Sequence, residues 1–161
     1  MQKFLKEYLP YIIVLLLVIL TRTFIITPVR VNGTSMEKTL KNGEIMLLYK
    51  LAKIEKEDIV VIDKTVDGSN IIKRVIAMPG QKIKCEDGII YINDKKYADK
   101  YAFGITSDFK EVTLKDDEYF VLGDNRLVSE DSRYFGPVKK KHIMGKASIV
   151  LYPFNKIGKV S

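Results

Sequence analysis

The chain has 161 residues, 47% of them hydrophobic, and 27 Lys and Arg against 20 Asp and Glu give a formal net charge of +7. This length holds one domain with a real core plus an anchor, which excludes two large domains, and the composition excludes a disordered chain. Without residues 1–30 the count falls to 23 basic and 19 acidic residues, a net +4, too weak a balance to point to a nucleic-acid partner. Cys85 is the only cysteine and His142 the only histidine, so no intramolecular disulfide can form and no metal or cofactor is expected.

Tyr8 to Val29 carries a single charge, Arg22. A helix of that length spans about 33 Å, enough for a bilayer core of roughly 30 Å. A cleavable secretory signal is the rival reading, since Lys3 and Lys6 precede the apolar run. The residues at its end, Phe24-Ile25-Ile26-Thr27-Pro28, contain no small-x-small tripeptide, so a retained anchor is favoured. The basic tail 1–7 is expected in the cytoplasm and residues 30–161 outside it. Arg22 near the outer end can lie along lipid while its guanidinium reaches the headgroups.

From Pro28 onward, short apolar runs separated by turn signals point to strands: Val29–Val31, Glu44–Tyr49, Ile59–Asp63, Ile71–Ala77, Ile83–Cys85, Ile89–Ile92, Tyr119–Leu122 and Ala147–Leu151. Asn42-Gly43, Asp67-Gly68, Pro79-Gly80 and Asp87-Gly88 supply turns. The expected fold is an all-β body of antiparallel sheets, partly open and barrel-like, behind one transmembrane helix. Residues 83–118 read as an inserted hairpin subdomain with a flexible part at Ala98–Lys115. Lys139-Lys140-Lys141 reads as a solvated loop, with anionic headgroups as the alternative partner.

Three stretches carry candidate chemistry. Ser35, in Gly33-Thr34-Ser35-Met36, lies where a chain leaving a membrane first meets water. A serine nucleophile needs a base. His142 has nothing beside it that looks like an orienting acid, and a lysine serves only when burial or neighbours lower its pKa. Lys73 stands in the apolar run Ile71–Met78, where strand alternation sends Lys73 and Arg74 to opposite faces, the plainer reading being a charge that guards a sheet edge. The third stretch, Gly123 to Val138, holds Asp124, Asn125, Arg126, Ser129, Asp131, Ser132 and Arg133, more fixed-geometry hydrogen-bonding groups than a surface turn requires.

Ser35-Met36 behind an anchor, Lys73-Arg74 before Met78-Pro79-Gly80, and Gly123-Asp124-Asn125-Arg126 through Asp131-Ser132-Arg133 together resemble the bacterial type I signal peptidases, in that order and over nearly the whole chain. The resemblance implies a membrane-bound Ser/Lys endopeptidase of the short Gram-positive type, acting on the signal peptides of exported preproteins at the outer face of the plasma membrane. It implies Ser35 as nucleophile, with its backbone N–H in the oxyanion hole, and Lys73 as base. Ser129 would orient Lys73, Asp131 and Arg133 would pair in support, Asp124, Asn125 and Arg126 would shape the loop beneath, and Met36 would pack beside the substrate groove. Lys38, Gln81, Leu127-Val128 and Gly33 depart from the family pattern, at positions where proline, aspartate, Asp-Asn and sometimes serine are usual. The alternative is an inactive or dedicated-substrate relative acting as a membrane subunit.

Overall fold

The structure, a computed structural model, describes residues 2–64 and 69–160. Helix α1, Gln2–Phe24, is exposed from Glu7 to Leu20 although almost wholly apolar there. A helix that is apolar all round with no protein core against it suits lipid. It stops five residues short of the expected end. The β-branched run Ile25-Ile26-Thr27 and then Pro28, which lacks an N–H, favour extended backbone, and strand β1, Ile26–Arg30, begins after a single intervening residue.

Eleven further strands follow: β2 Ile45–Tyr49, β3 Ile59–Lys64, β4 Ser69–Ala77, β5 Lys82–Glu86, β6 Ile89–Ile92, β7 Lys95–Lys96, β8 Phe109–Thr113, β9 Glu118–Leu122, β10 Val138–Lys139, β11 Ile143–Tyr152 and β12 Gly158–Lys159. The larger sheet runs β1-β2-β11-β3-β4-β9-β10, with β12 beside β11, and the smaller runs β7-β6-β5-β8. Pairing between these strands is antiparallel throughout. The antiparallel all-β body behind one apolar helix is as expected, with its sheets open. Among the described residues neither sheet closes into a barrel, because β1 and β10 end one sheet and β7 and β8 the other without pairing to each other.

Consecutive apolar residues in β3 mean that the larger sheet is covered on both faces. Ile59 and Val61 join a core cluster with Val31, Met36, Leu40, Met46, Leu48 and Ile72, while Val60 and Ile62 join a second with Ile54, Val75, Tyr119, Val121 and Val138. A third cluster, built on Ile83, Cys85, Ile90, Ile92, Leu114 and Phe120, fastens the smaller sheet to β9. Burial also pushes the Cys85 thiol up to about 11, with Asp108 adding to the effect.

The β5–β6 turn has Asp87 and Gly88 both at positive φ, 51° and 73°. Such a two-residue connection suits the twist of a hairpin and explains the Asp-Gly pair. The turn expected at Asp67-Gly68 lies outside the described residues. Ala98–Lys115 differs from its flexible reading: it contains β8, and Thr106 within it is buried. Polar residues dominate that segment because its loop is held by hydrogen bonds to the 123–133 loop, which leave no apolar periodicity to read.

Candidate functional site

Ser35 occupies a turn immediately after β1. Backbone bonds from Glu37 N to Thr34 O and from Thr39 N and Leu40 N to Met36 O wind residues 34–40 into a helical turn. Met36 and Leu40, at 1% and 0% exposure, pin that turn to the core and leave Ser35 half-buried at the surface. Met36 therefore faces inward from beneath the serine.

Lys73 comes from β4, an interior strand between β3 and β9, so the edge-guarding reading does not hold. It is 4% exposed, and its Nζ donates to Ser35 Oγ at 2.9 Å. Burial of that order disfavours an ammonium relative to the neutral amine. Arg74, on the opposite face of the strand, is 1% exposed and meets Asp124 side-on through Nε–Oδ1 at 2.8 Å and Nη2–Oδ2 at 2.7 Å. Its Nη1 donates to Glu57 O and its guanidinium lies over the Tyr101 ring, 3.5 Å from the centroid. Thr39, one helical turn past Ser35, donates through Oγ1 to Asp124 Oδ2, so one buried carboxylate holds both the β4 arginine and the serine turn.

Asn125 binds that turn from the other side: its backbone N donates to Ser35 O at 3.0 Å and its Nδ2 to Thr34 O at 3.3 Å. Gly123 leaves room for this approach. A Cβ there would overlap Ser129 Oγ and come within 2.6 Å of Ser35 O. Ser129 is accordingly packed against the serine turn, with its hydroxyl buried and, among the described residues, without a hydrogen-bond partner.

The loop's own frame is a second fork. Asp131 caps the short helix α2, Ser132–Phe135, accepts from Gly123 N at 3.1 Å, and takes Arg133 Nε and Nη2 on its two oxygens at 2.8 and 3.0 Å. Burial alone would loosen the Arg133 proton, but the Asp131 carboxylate outweighs it and holds the guanidinium charged. Arg133 Nη2 also donates to Arg126 O and Ser129 O, which sets the backbone around Ser129. Arg126 reaches Gly123 O, Thr106 Oγ1 and Asp99 Oδ2, and Phe103 exchanges backbone bonds with Asp124 and Arg126. The 99–106 loop is thus tied to the site loop.

Ser35, Lys73, Asp124, Asn125, Ser129, Asp131 and Arg133 therefore come together around one turn. His142 lies elsewhere, in the 3-10 turn Lys140–His142 that leads into β11. Sequence reasoning missed Thr39, Asp99, Tyr101 and Thr106. Thr39's spacing of four from Ser35 was the one available signal, and it needed the helical turn to be known. Of the departures, Gln81 Oε1 accepts from Met78 N at 2.8 Å and closes its turn, Lys38 Nζ sits 4.4 Å from the Phe103 centroid, and Leu127 and Val128 are exposed. Gly33 has φ 91°, a conformation strained for any serine, and donates to Asn42 Oδ1.

The chain thus joins an apolar amino-terminal helix to an open two-sheet β body in which a serine–lysine pair lies against a buried loop. The family model described as signal peptidase, peptidase S26 matches residues 4–152. A signal peptidase I from Bacillus licheniformis is 38% identical over 92% of this chain and 88% of its own. One from Streptococcus pneumoniae is 34% identical over 98% and 97%. The crystal structure of a signal peptidase I from Enterococcus faecalis V583 superposes with a TM-score of 0.53 at 32% identity, covering 59% of this chain and 97% of that one. The chain belongs to the signal peptidase, peptidase S26, family.

Proposed function

We propose that this chain is a signal peptidase I, a membrane-anchored endopeptidase that removes signal peptides from exported preproteins with Ser35 as nucleophile and Lys73 as general base. The observation that carries the reading is the 2.9 Å contact between Lys73 Nζ and Ser35 Oγ at a lysine only 4% exposed. In the working state the amine is neutral and accepts the Ser35 proton as Oγ attacks the scissile carbonyl. The tetrahedral oxyanion forms beside the Ser35 N–H, the resulting ammonium returns its proton to the leaving amine, and an ester to Ser35 remains. Lys73 then deprotonates a water that attacks the ester and releases the acid product. The family resemblance gives Ser129, which is packed beside the Ser35 turn at Gly123, the task of orienting the Lys73 amine.

β1 is an end strand of the larger sheet and runs directly into the Ser35 turn. An extended substrate segment laid along such an edge alternates its side chains, so the residues one and three before the cut meet the same wall. Met36, beneath Ser35, is buried in the core that supports this edge. We assign residues 1–7 to a cytoplasmic tail, the apolar stretch within 8–29 to a single membrane crossing, and residues 30–161 to an extracytoplasmic body that includes the 83–118 insertion. The basic tail sets that orientation.

The test is cleavage of a preprotein by the full chain in lipid nanodiscs, with the product's new amino terminus sequenced. Cutting after a small residue, with another small residue two positions earlier, is expected, and should persist in strong chelator. Efficient cutting after Leu or Phe, or undiminished cutting by Ser35→Ala, overturns the reading.

A further inference from the structure

The joint between the membrane helix and the catalytic body is held by polar groups. Lys50, in the turn that ends β2, sends its Nζ to Thr23 O at 2.7 Å, and Thr27 Oγ1 donates to Arg22 O at 2.7 Å. Both acceptors belong to the last turn of α1, whose final carbonyls have no partner within the helix and carry the negative end of its dipole. The Lys50 backbone N adds a bond to Ile25 O at 2.9 Å, the single residue between α1 and β1. Lys50 is braced from behind. A Cβ at Gly145 in β11 would lie 2.6 Å from Tyr49 O and 2.9 Å from Lys50 Cα, so the two backbones are in direct contact. From there β11 pairs with β3, and β3 with the Lys73 strand.

Apolar packing does not fix this joint. Between α1 and the first two strands lies an open groove of about 400 Å³ lined by Val14, Leu17, Val18, Ile26, Pro28 and Leu47. The angle of the helix to the sheet thus rests on the Lys50 and Thr27 bonds, and ten residues lie between the helix end at Phe24 and Ser35. We propose that Lys50, seconded by Thr27, is a positioning residue that fixes the tilt and height of the body over the bilayer and so matches Ser35 to a bond at a set depth in a membrane-inserted precursor. This rests on the signal-peptidase reading above.

The experiment uses the full chain in nanodiscs of phosphatidylglycerol and phosphatidylethanolamine. One arm measures the spin-label distance distribution between Tyr11→Cys and Lys139→Cys, both exposed sites. The other compares cleavage of a membrane-inserted precursor with that of a soluble peptide spanning the same bond. Lys50→Met should broaden the distance distribution and lower kcat/KM on the inserted precursor about tenfold, the scale of one lost charge-assisted hydrogen bond, with the peptide value kept within about twofold. Lys50→Arg should restore both readouts, and Thr27→Val should show the same pattern more weakly. An unchanged distribution, or equal losses on both substrates, overturns the proposal. A parental enzyme that cuts neither substrate refutes the peptidase reading instead, and the distance arm alone then decides the clasp.

Discussion

Asp124→Ala is the sharpest test of how the site is held. The Arg74 and Asp124 side chains are 2% and 0% exposed, and the carboxylate also accepts from Thr39. Truncation leaves a guanidinium buried with Glu57 O, a long 3.4 Å bond to Thr39 Oγ1 and the Tyr101 face as partners, together with a hydroxyl that has lost its carboxylate acceptor. Breaking one side of a buried pair costs about 3–5 kcal/mol, whereas replacing both partners by apolar groups of similar volume is near neutral. At roughly 2–4 °C per kcal/mol for a chain of this size, Asp124→Ala should lower Tm by about 6–20 °C. The double variant Arg74→Met/Asp124→Leu should recover most of that loss. The assay is thermal unfolding of the single and double variants in one detergent, followed by near-ultraviolet circular dichroism and assembled into a double-mutant cycle. A single variant within about 1 kcal/mol of the parent, or a double variant no more stable than Asp124→Ala, refutes the claim that the pair acts as one buried unit.

Ser35→Ala and Lys73→Ala should each abolish turnover, with the double variant no worse than either, because the two groups act together. The kcat/KM profile should rise along an alkaline limb with its midpoint below the ordinary lysine value of about 10.4, since burial favours the neutral amine. A limb near pH 6.5 that vanishes in His142→Ala would name an imidazole base instead. Ser129→Ala should leave Tm unchanged or slightly higher, as it deletes a buried hydroxyl with no partner among the described residues, while kcat falls; a fall in Tm with kcat intact reverses that assignment. Cys85, raised to about 11, should resist a thiol reagent at pH 8 in the folded protein and react on unfolding. Because its folded value lies above the unfolded one, its stabilising effect is complete below about pH 9 and should fade as pH climbs toward 11.

Much of this molecule can be read from local pattern. Ile59–Ile62 and Ile71–Ala77 announce themselves as strands because both faces of the larger sheet are covered, and a lysine and an arginine inside such a run must be paired or functional. β8 escapes that reading: in Phe-Lys-Glu-Val-Thr only Phe109 and Val112 turn inward, a spacing with no clear period of two. The order of the sheet is also hidden, since β11 enters between β2 and β3 from the far end of the chain. At the site, residue types point to Ser35, Lys73 and the 123–133 loop, and the resemblance names their roles. The partners of Arg126 could not be foreseen, because Asp99 and Thr106 lie in a polar loop whose only distinguishing property is where it folds.

The bonds that shape the Ser35 turn join residues 85 and 91 positions apart, Thr39 to Asp124 and Thr34 to Asn125. Contacts of such long range close only after the intervening strands have paired, since the entropy of ordering the loop must be met before the contact returns anything. A chain still being made therefore exposes its serine long before residues 123–133 arrive to shape the turn that carries it. The shape of the Ser35 turn is in this way a property of the finished fold, complete only when the last third of the chain is in place.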